Sequence, residues 1–502
     1  MNRIKNIDKM KQTLFTIVAL SLFLLGSCNR TKETVITGQI IGNADKVVYS
    51  NPNQGTCFSG FRDTIQVDEN GNFELRFNLK RPSFIQIWSS EPRKECKLLL
   101  EPDNNYNILI DTEKGIEIFG ANEAGQRLYS ALPNPSFIEM QIGKDLREEN
   151  SLTAIRGKIQ DMKSEELAKF KKLLDENKIT SSFFELIQKD RDCYFASLES
   201  RISQIKIYAL LLRSESEKFI LENGDDLLEN LKNIYAQYSL DNKDILISSF
   251  WFEYAQNYIR DYVQFSKEDF NMDSFRELYN NGTIHTFIIS EAKKHLTGKF
   301  LEFCQATYLY FTGIQKKFEK ELIALFEQFK KDYPNSEYAK YIQPYIDVIV
   351  DFYNKVDRDF SENITFVENF ENINTLEELF KPMKGKKIYV DVWATWCVPC
   401  KEEFKHSERL KQILKEKDIQ MLYISIDREI EDAQWKNLIK YYNLEGKHIR
   451  VNENLKNKLH YQYDEKSGMI VIPWYILIDE EGNILQKQAK RPSQIVLGED
   501  MF

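Results

Sequence analysis

Val390-Asp-Val-Trp-Ala-Thr-Trp-Cys-Val-Pro-Cys-Lys401 decides how this chain is read. Together with Lys387-Ile-Tyr before it, its first half is a β-branched and aromatic run ending at Trp393, the composition of a buried strand. Its second half enters a helix that the pattern carries to about Lys417. Cys397 and Cys400 therefore stand where a strand gives way to a helix. Cys397 falls at the helix N-terminus, where unpaired N–H groups and the helix dipole stabilise a thiolate. Cys400 is one turn on, close enough to close a disulfide. Pro399 restricts the turn, and proline is tolerated in a first helical turn. Lys401 adds positive charge nearby, or else points into solvent. Cys397 reads as the nucleophile and Cys400 as a less exposed resolving thiol. A Cys-x-x-Cys can also be half of a zinc site or a structural disulfide. No second Cys/His pair at zinc-ligand spacing exists here, and the strand–helix context favours the redox motif.

The flanks support an α/β unit. Leu376-Glu-Glu-Leu-Phe380 reads as a short helix before the Cys strand. After the Cys helix come Ile419-Gln-Met-Leu-Tyr-Ile-Ser-Ile-Asp427 as a strand, Ala433 to Tyr442 as a helix, and Trp474–Asp479 with Ile484–Lys487 as a hairpin. Strand, helix, strand, helix and hairpin imply a central mixed sheet with helices on its faces.

The segment 390–401 resembles the thioredoxin superfamily, and most of all its membrane-tethered thiol–disulfide oxidoreductases of the TlpA and ResA type. The likeness covers about 364–500, and Ile472-Pro473, just before a strand, is its second mark. The resemblance implies a cis proline opposite the cysteines. It makes Trp396, Ile472 and Pro473 substrate-binding positions, with the Ile472 backbone pairing with the substrate strand. It also gives Asp391 the role of the buried acid that helps move the proton of Cys400. A carboxylate in an apolar strand would have a raised pKa and could accept that proton. Asp427 falls near a place where the ResA type carries an active-site Glu, and reads as a loop residue. Only about a dozen residues follow the last strand, so the closing helix of the fold must be short or missing.

Upstream, about Asn122 to Val356 carries helical periodicity. Examples are Glu165–Leu174, the capped start at Thr180-Ser-Ser-Phe-Phe, Glu319–Tyr333 and Glu337–Tyr353. Its many Tyr and Phe read as core and amphipathic surface rather than a binding groove. Cys193 and Cys304 fall on these helices. Val35 to Ile118 reads instead as short strands separated by turns, with Asn70-Gly71 a hairpin signal, and suggests a small β-sandwich. Cys57 and Cys96 lie in it, either paired or as buried free thiols. The expected fold is thus multidomain: a β-sandwich-like domain at 28–121, an all-α domain at 122–360 and an α/β thioredoxin fold at 361–502.

Residues 1–27 read as a signal peptide. Lys5, Lys9 and Lys11 precede a 12-residue apolar run, Leu14–Leu25, where a membrane span needs about 20. The run ends Leu25-Gly-Ser-Cys28, which resembles a bacterial lipobox. That resemblance implies acylation of Cys28, insertion of its acyl chains in a lipid bilayer, and a periplasm-facing place in the cell envelope.

Composition sets the outer limits. The chain has 502 residues, room for about three domains, and is 42% hydrophobic with 12 Pro and 20 Gly, which excludes a disordered or collagen-like chain. Lys and Arg total 68 against 77 Asp and Glu, a formal charge of -9. An acidic chain with no basic block is a poor binder of nucleic acid. None of the five His forms a ligand-spaced pair, so no metal is expected. Neither a G-x-G-x-x-G nor a Walker A sequence occurs, so no cofactor is expected beyond the Cys397–Cys400 pair. Electrons must then come from another protein; the resemblance implies a membrane thiol-transport reductase as donor and protein disulfides as substrates. The contrasting reading is a cell-envelope binding lipoprotein for peptide or glycan with an accessory redox domain.

Overall fold

The computed structural model of the chain describes residues 33–52, 57–132, 143–149, 151–211, 219–242, 245–267, 272–464 and 470–495. The leader expected at 1–27 and Cys28 lie outside the described residues. Two compact units divide between Asn257 and Tyr258.

The first unit begins with β1 (Thr34–Ile41), β2 (Lys46–Ser50), β3 (Arg62–Gln66), β4 (Asn72–Phe77), β5 (Ser83–Ser89), β6 (Glu95–Leu100), β7 (Asn105–Asp111) and β8 (Gly115–Gly120). They form two four-stranded sheets, β4-β1-β7-β8 and β3-β2-β5-β6. Alternation fills the space between them: Ile36, Ile40, Leu75, Ile108 and Ile110 of one sheet share a core with Val47, Ile85, Ile87, Leu98 and Leu100 of the other. This is the expected sandwich, with β2 as an additional strand that lacks clean alternation. One expectation is corrected. The Asn70-Gly71 turn does not make a hairpin, because β3 and β4 belong to different sheets. The turn signature specifies a chain reversal but not which strand each arm pairs with. Here Gly71 O accepts from Ile40 N at 2.8 Å, tying the reversal to β1. Cys57 and Cys96 are buried, unpaired thiols.

Helices follow: α1 (Glu123–Ala131), α2 (Gly143–Glu148), α3 (Leu152–Asp175), α4 (Ser181–Leu211), α5 (Phe219–Gln237) and α6 (Trp251–Asn257). They explain why β5 and β6 are buried on both faces. Phe84 and Leu99, pointing away from the sandwich, pack with Tyr129, Phe183 and Ile187. Gln126 of α1 makes both amide bonds with Leu99, accepting from its N at 3.0 Å and donating to its O at 2.7 Å.

The second unit holds α7 (Met272–Asn280), α8 (Ile284–His295), α9 (Gly298–Ile314), α10 (Glu321–Asp332) and α11 (Ala339–Val356). Along α11 the buried residues Ile342, Ile346, Ile349, Phe352 and Val356 recur at helical spacing. The α/β region comes next: β9 (Ile364–Phe366), α12 (Leu376–Phe380), β10 (Ile388–Trp393), α13 (Val398–Glu403), α14 (Ser407–Glu416), β11 (Gln420–Ser425), α15 (Asp432–Tyr442), β12 (Gly446–Arg450), α16 (Glu453–Tyr463), β13 (Trp474–Ile478) and β14 (Ile484–Gln486). The sheet order is β14-β13-β10-β11-β12-β9. β10 is buried along its whole length, parallel to β11 and antiparallel to β13. β9, β12 and α16 extend the expected pattern. The single long helix expected after Cys397 is instead two helices joined by a 3-10 turn at Phe404–His406. At that tightened turn the Phe404 ring turns inward, 5.1 Å from both Trp393 and Tyr442.

Two glycines separate packing from propensity. A Cβ on Gly38 in β1 would lie 2.3 Å from the Phe73 ring and 2.6 Å from Ile108 O, whereas one on Gly157 in α3 meets nothing within 4 Å. Gly38→Ala should therefore destabilise the first unit by about 1–3 kcal/mol. Gly157→Ala should stabilise it by about 0.5–1 kcal/mol. Urea unfolding followed by circular dichroism checks both signs.

Candidate redox site

The site begins with β10. Its alternation puts Tyr389, Asp391 and Trp393 on one face. Tyr389 packs there with Leu410, Ile413 and Leu414 of α14, and Trp393 meets Phe404 edge-on. Asp391 thus lies on the face covered by the helices that follow the cysteines.

Beyond Trp393 the chain makes a tight, fixed loop. Asp427, just after β11, accepts from Thr395 N at 2.9 Å and from Thr395 Oγ1 at 2.8 Å. Ser425 Oγ donates to the same carboxylate at 2.7 Å. Cys397 N then donates to Ala394 O at 3.0 Å. Asp427 is a loop residue as expected, but a buried one, and burial raises its pKa against these three hydrogen bonds.

Cys397 is the N-cap of α13. Its Sγ accepts from Cys400 N at 3.2 Å, and Pro399 sits in the first helical turn. The two cysteines are joined as a disulfide, with Cα atoms 5.3 Å apart. Cys397 is 4% exposed and Cys400 is 0% exposed, while Trp396 beside them is 55% exposed. Any incoming group therefore meets the Cys397 sulfur first.

The β10–β13 register brings the remaining expected residues alongside. Val392 pairs with Trp474, so the next step sets Pro473 beside Trp393, at the strand end from which the Cys loop leaves. The Ile472–Pro473 peptide bond is cis. Pro473 is buried and Ile472 half-buried, and Val471 is 63% exposed. Exposed apolar surface from Trp396 and Val471 thus comes from the two chain segments that meet at the disulfide end of the sheet.

Asp391 is fully buried. Burial pushes its carboxyl well above the usual carboxylate range, and the charge of Glu403 pushes in the same direction. Its Oδ1 has no hydrogen-bond partner. Glu403 went unread in the sequence. It is a second carboxylate of the site, 9% exposed, and accepts from Ser493 N at 2.9 Å and Ser493 Oγ at 3.0 Å. The available signal was its spacing three residues after Cys400, which puts both on one helix face. Ser493 lies in the 3-10 turn Pro492–Gln494, which follows β14.

Lys401 is corrected with respect to solvent. It is buried, and its Nζ donates to Thr395 O and to Lys316 O, each at 2.8 Å. Burial lowers its pKa to about 8. The other described thiols are unsuited to this chemistry. Burial raises Cys57 and Cys96 to about 12 and Cys193 higher still. Cys304 is buried and in no disulfide.

A model of the Redoxin family matches residues 365–495. Thiol-disulfide oxidoreductase ResA of Bacillus thuringiensis subsp. konkukian is 31% identical over 107 residues, which is 21% of this chain and 57% of that protein. Thiol:disulfide interchange protein DsbD of Actinobacillus pleuropneumoniae serotype 5b is 31% identical over 86 residues, 17% of this chain and 14% of that protein. Among solved structures, the thioredoxin domain of a thiol-disulfide oxidoreductase from Bacteroides vulgatus is 26% identical, with 22% of this chain and 74% of that chain covered and a TM-score of 0.19. The chain spans little more than half the length of the first curated relatives it matches.

The buried carboxyl makes a prediction about stability. Because the folded pKa of Asp391 is raised, its contribution is fully present below the unfolded value of about 4 and is lost as pH rises toward the folded pKa. Asp391→Asn should therefore stabilise the oxidised protein by about 1–3 kcal/mol at pH 7–8, and the gain should shrink toward pH 4. Denaturant titrations of both proteins across that range measure it.

Proposed function

We propose that the chain is a thiol–disulfide oxidoreductase of the TlpA/ResA type that reduces protein disulfides, a reading supported by the match of residues 365–495 to the Redoxin model and by the likeness to ResA. The observation that carries this reading is Cys397: an N-cap sulfur, already in a disulfide with Cys400, beside the exposed Trp396. In the reduced form the Cys397 thiolate attacks one sulfur of a substrate disulfide. A mixed disulfide forms and one substrate thiolate leaves. Asp391, whose raised pKa makes its carboxylate a strong base once ionised, takes the proton of the Cys400 thiol, and the Cys400 sulfur attacks Cys397 Sγ. The second substrate thiolate is released, and two electrons have passed from the dithiol to the substrate. Trp396, Ile472 and Pro473 form the edge on which a substrate strand is held.

Regeneration needs a second dithiol protein, in our reading a membrane thiol-transport reductase. The likeness of part of the chain to DsbD, a thiol:disulfide interchange protein, supports that class of donor. The lipobox-like Leu25-Gly-Ser-Cys28 supports acylation at Cys28, so that the enzyme works outside the cytoplasm, tethered to a bilayer in the cell envelope.

Insulin reduction followed by turbidity tests this reading. Cys397→Ser and the double Cys397→Ser, Cys400→Ser variant should fall to the uncatalysed rate. Cys400→Ser should accumulate a mixed disulfide that mass spectrometry assigns to Cys397. Activity persisting in the double variant overturns the proposal.

A further inference from the structure

Lys401 follows the resolving cysteine, yet its buried ammonium reaches two carbonyls from distant parts of the chain. Thr395 O belongs to the loop that delivers Cys397. Lys316 O belongs to the short connection between α9 and α10. Lys316 and Phe318 in that connection both have left-handed backbone, φ 51° and 60°. Such conformations are costly for side-chain-bearing residues and persist where surroundings over-determine them. The surroundings here do so. Lys317 O accepts from Gln434 Nε2 of α15 at 3.1 Å, and Phe318 O accepts from Tyr353 Oη of α11 at 2.9 Å. The buried Phe318 ring stacks on Phe352 at 4.4 Å and lies 5.2 Å from Tyr441. Lys316 also ion-pairs with Glu402 of α13. Three successive carbonyls of one connection are thus taken by α13, α15 and α11.

We propose that the 315–320 connection is part of the redox site, and that it holds Lys401 as a positioning residue which ties the Thr395 carbonyl and keeps a cation at the N-terminal end of α13. The proposal rests on the thiol–disulfide reading above. Its consequence is a coupling: the helices before the α/β region help set how readily the dithiol gives up electrons. A cation near the Cys397 thiolate favours the reduced form and makes the pair a better oxidant. The charged groups around the ammonium are Lys316, Lys317 and Glu319 on the connection and Asp427 after β11. A pKa lowered to about 8 still leaves Lys401 mostly charged at pH 7.

The test uses the full chain and two readouts: the equilibrium constant of the 397–400 pair against glutathione, and the pH dependence of Cys397 alkylation. Lys401→Met should shift the equilibrium toward the disulfide about tenfold, about 30 mV, and raise the apparent pKa of Cys397. Lys401→Arg should restore most of both. Gln434→Ala loosens the connection without touching the cysteines, and should shift the equilibrium at least about twofold with the same sign. It carries the test where Lys401→Met fails to fold. If the wild-type pair equilibrates with glutathione and every folded variant keeps its constant and alkylation profile, the coupling is refuted and the enzyme reading stands. A wild-type pair that never exchanges with glutathione or insulin defeats the enzyme reading itself.

Discussion

Burying β10 on both faces constrains the whole site. A strand with partners on each side has a fixed register and a fixed end point. From that end point the chain has four residues, Ala394 to Cys397, in which to turn and begin α13. Asp427 fixes the turn by taking both polar hydrogens of Thr395, and α13 starts with a sulfur at its cap. The β13 strand, paired antiparallel to β10, necessarily begins beside the same point, which is why Ile472 and Pro473 come from far along the chain to the strand end that the Cys loop leaves. Helix dipole, capped sulfur and apolar rim are all consequences of one strand's placement.

Much of this was legible because it is local. The strand-to-helix change, the Cys spacing, the capping turn at Thr180 and the sandwich alternation are short-range patterns, and they recur at the expected places. What escaped was set by partners distant in sequence. Lys401 is a charged residue after a Cys motif, and nothing nearby reveals that a carbonyl 85 positions upstream will bury it. Asp427 reads as an ordinary loop acid until β11 is laid beside β10 and its carboxylate meets Thr395. The Asn70-Gly71 reversal was visible, but its pairing was not, since turn residues encode a bend rather than a partner. Short strands such as β9 and β12 carry too few residues for a period to emerge.

Asp391 and Glu403 are held differently. Asp391 has an oxygen without a partner, whereas Glu403 is held by Ser493 through two hydrogen bonds. A held carboxylate keeps its place, whereas burial biases the unheld Asp391 toward its protonated form. The 3-10 turn after β14 supplies the anchor that Glu403 has and Asp391 lacks.

The four described thiols outside the pair, Cys57, Cys96, Cys193 and Cys304, bear on fidelity. Each is sealed from solvent, and the three with raised ionisation stay protonated at neutral pH. Among the described cysteines, a stray oxidant or a foreign thiol arriving at the folded protein therefore finds one port, the Cys397–Cys400 pair. The other described thiols are insulated, so turnover at the pair leaves those four out of the exchange.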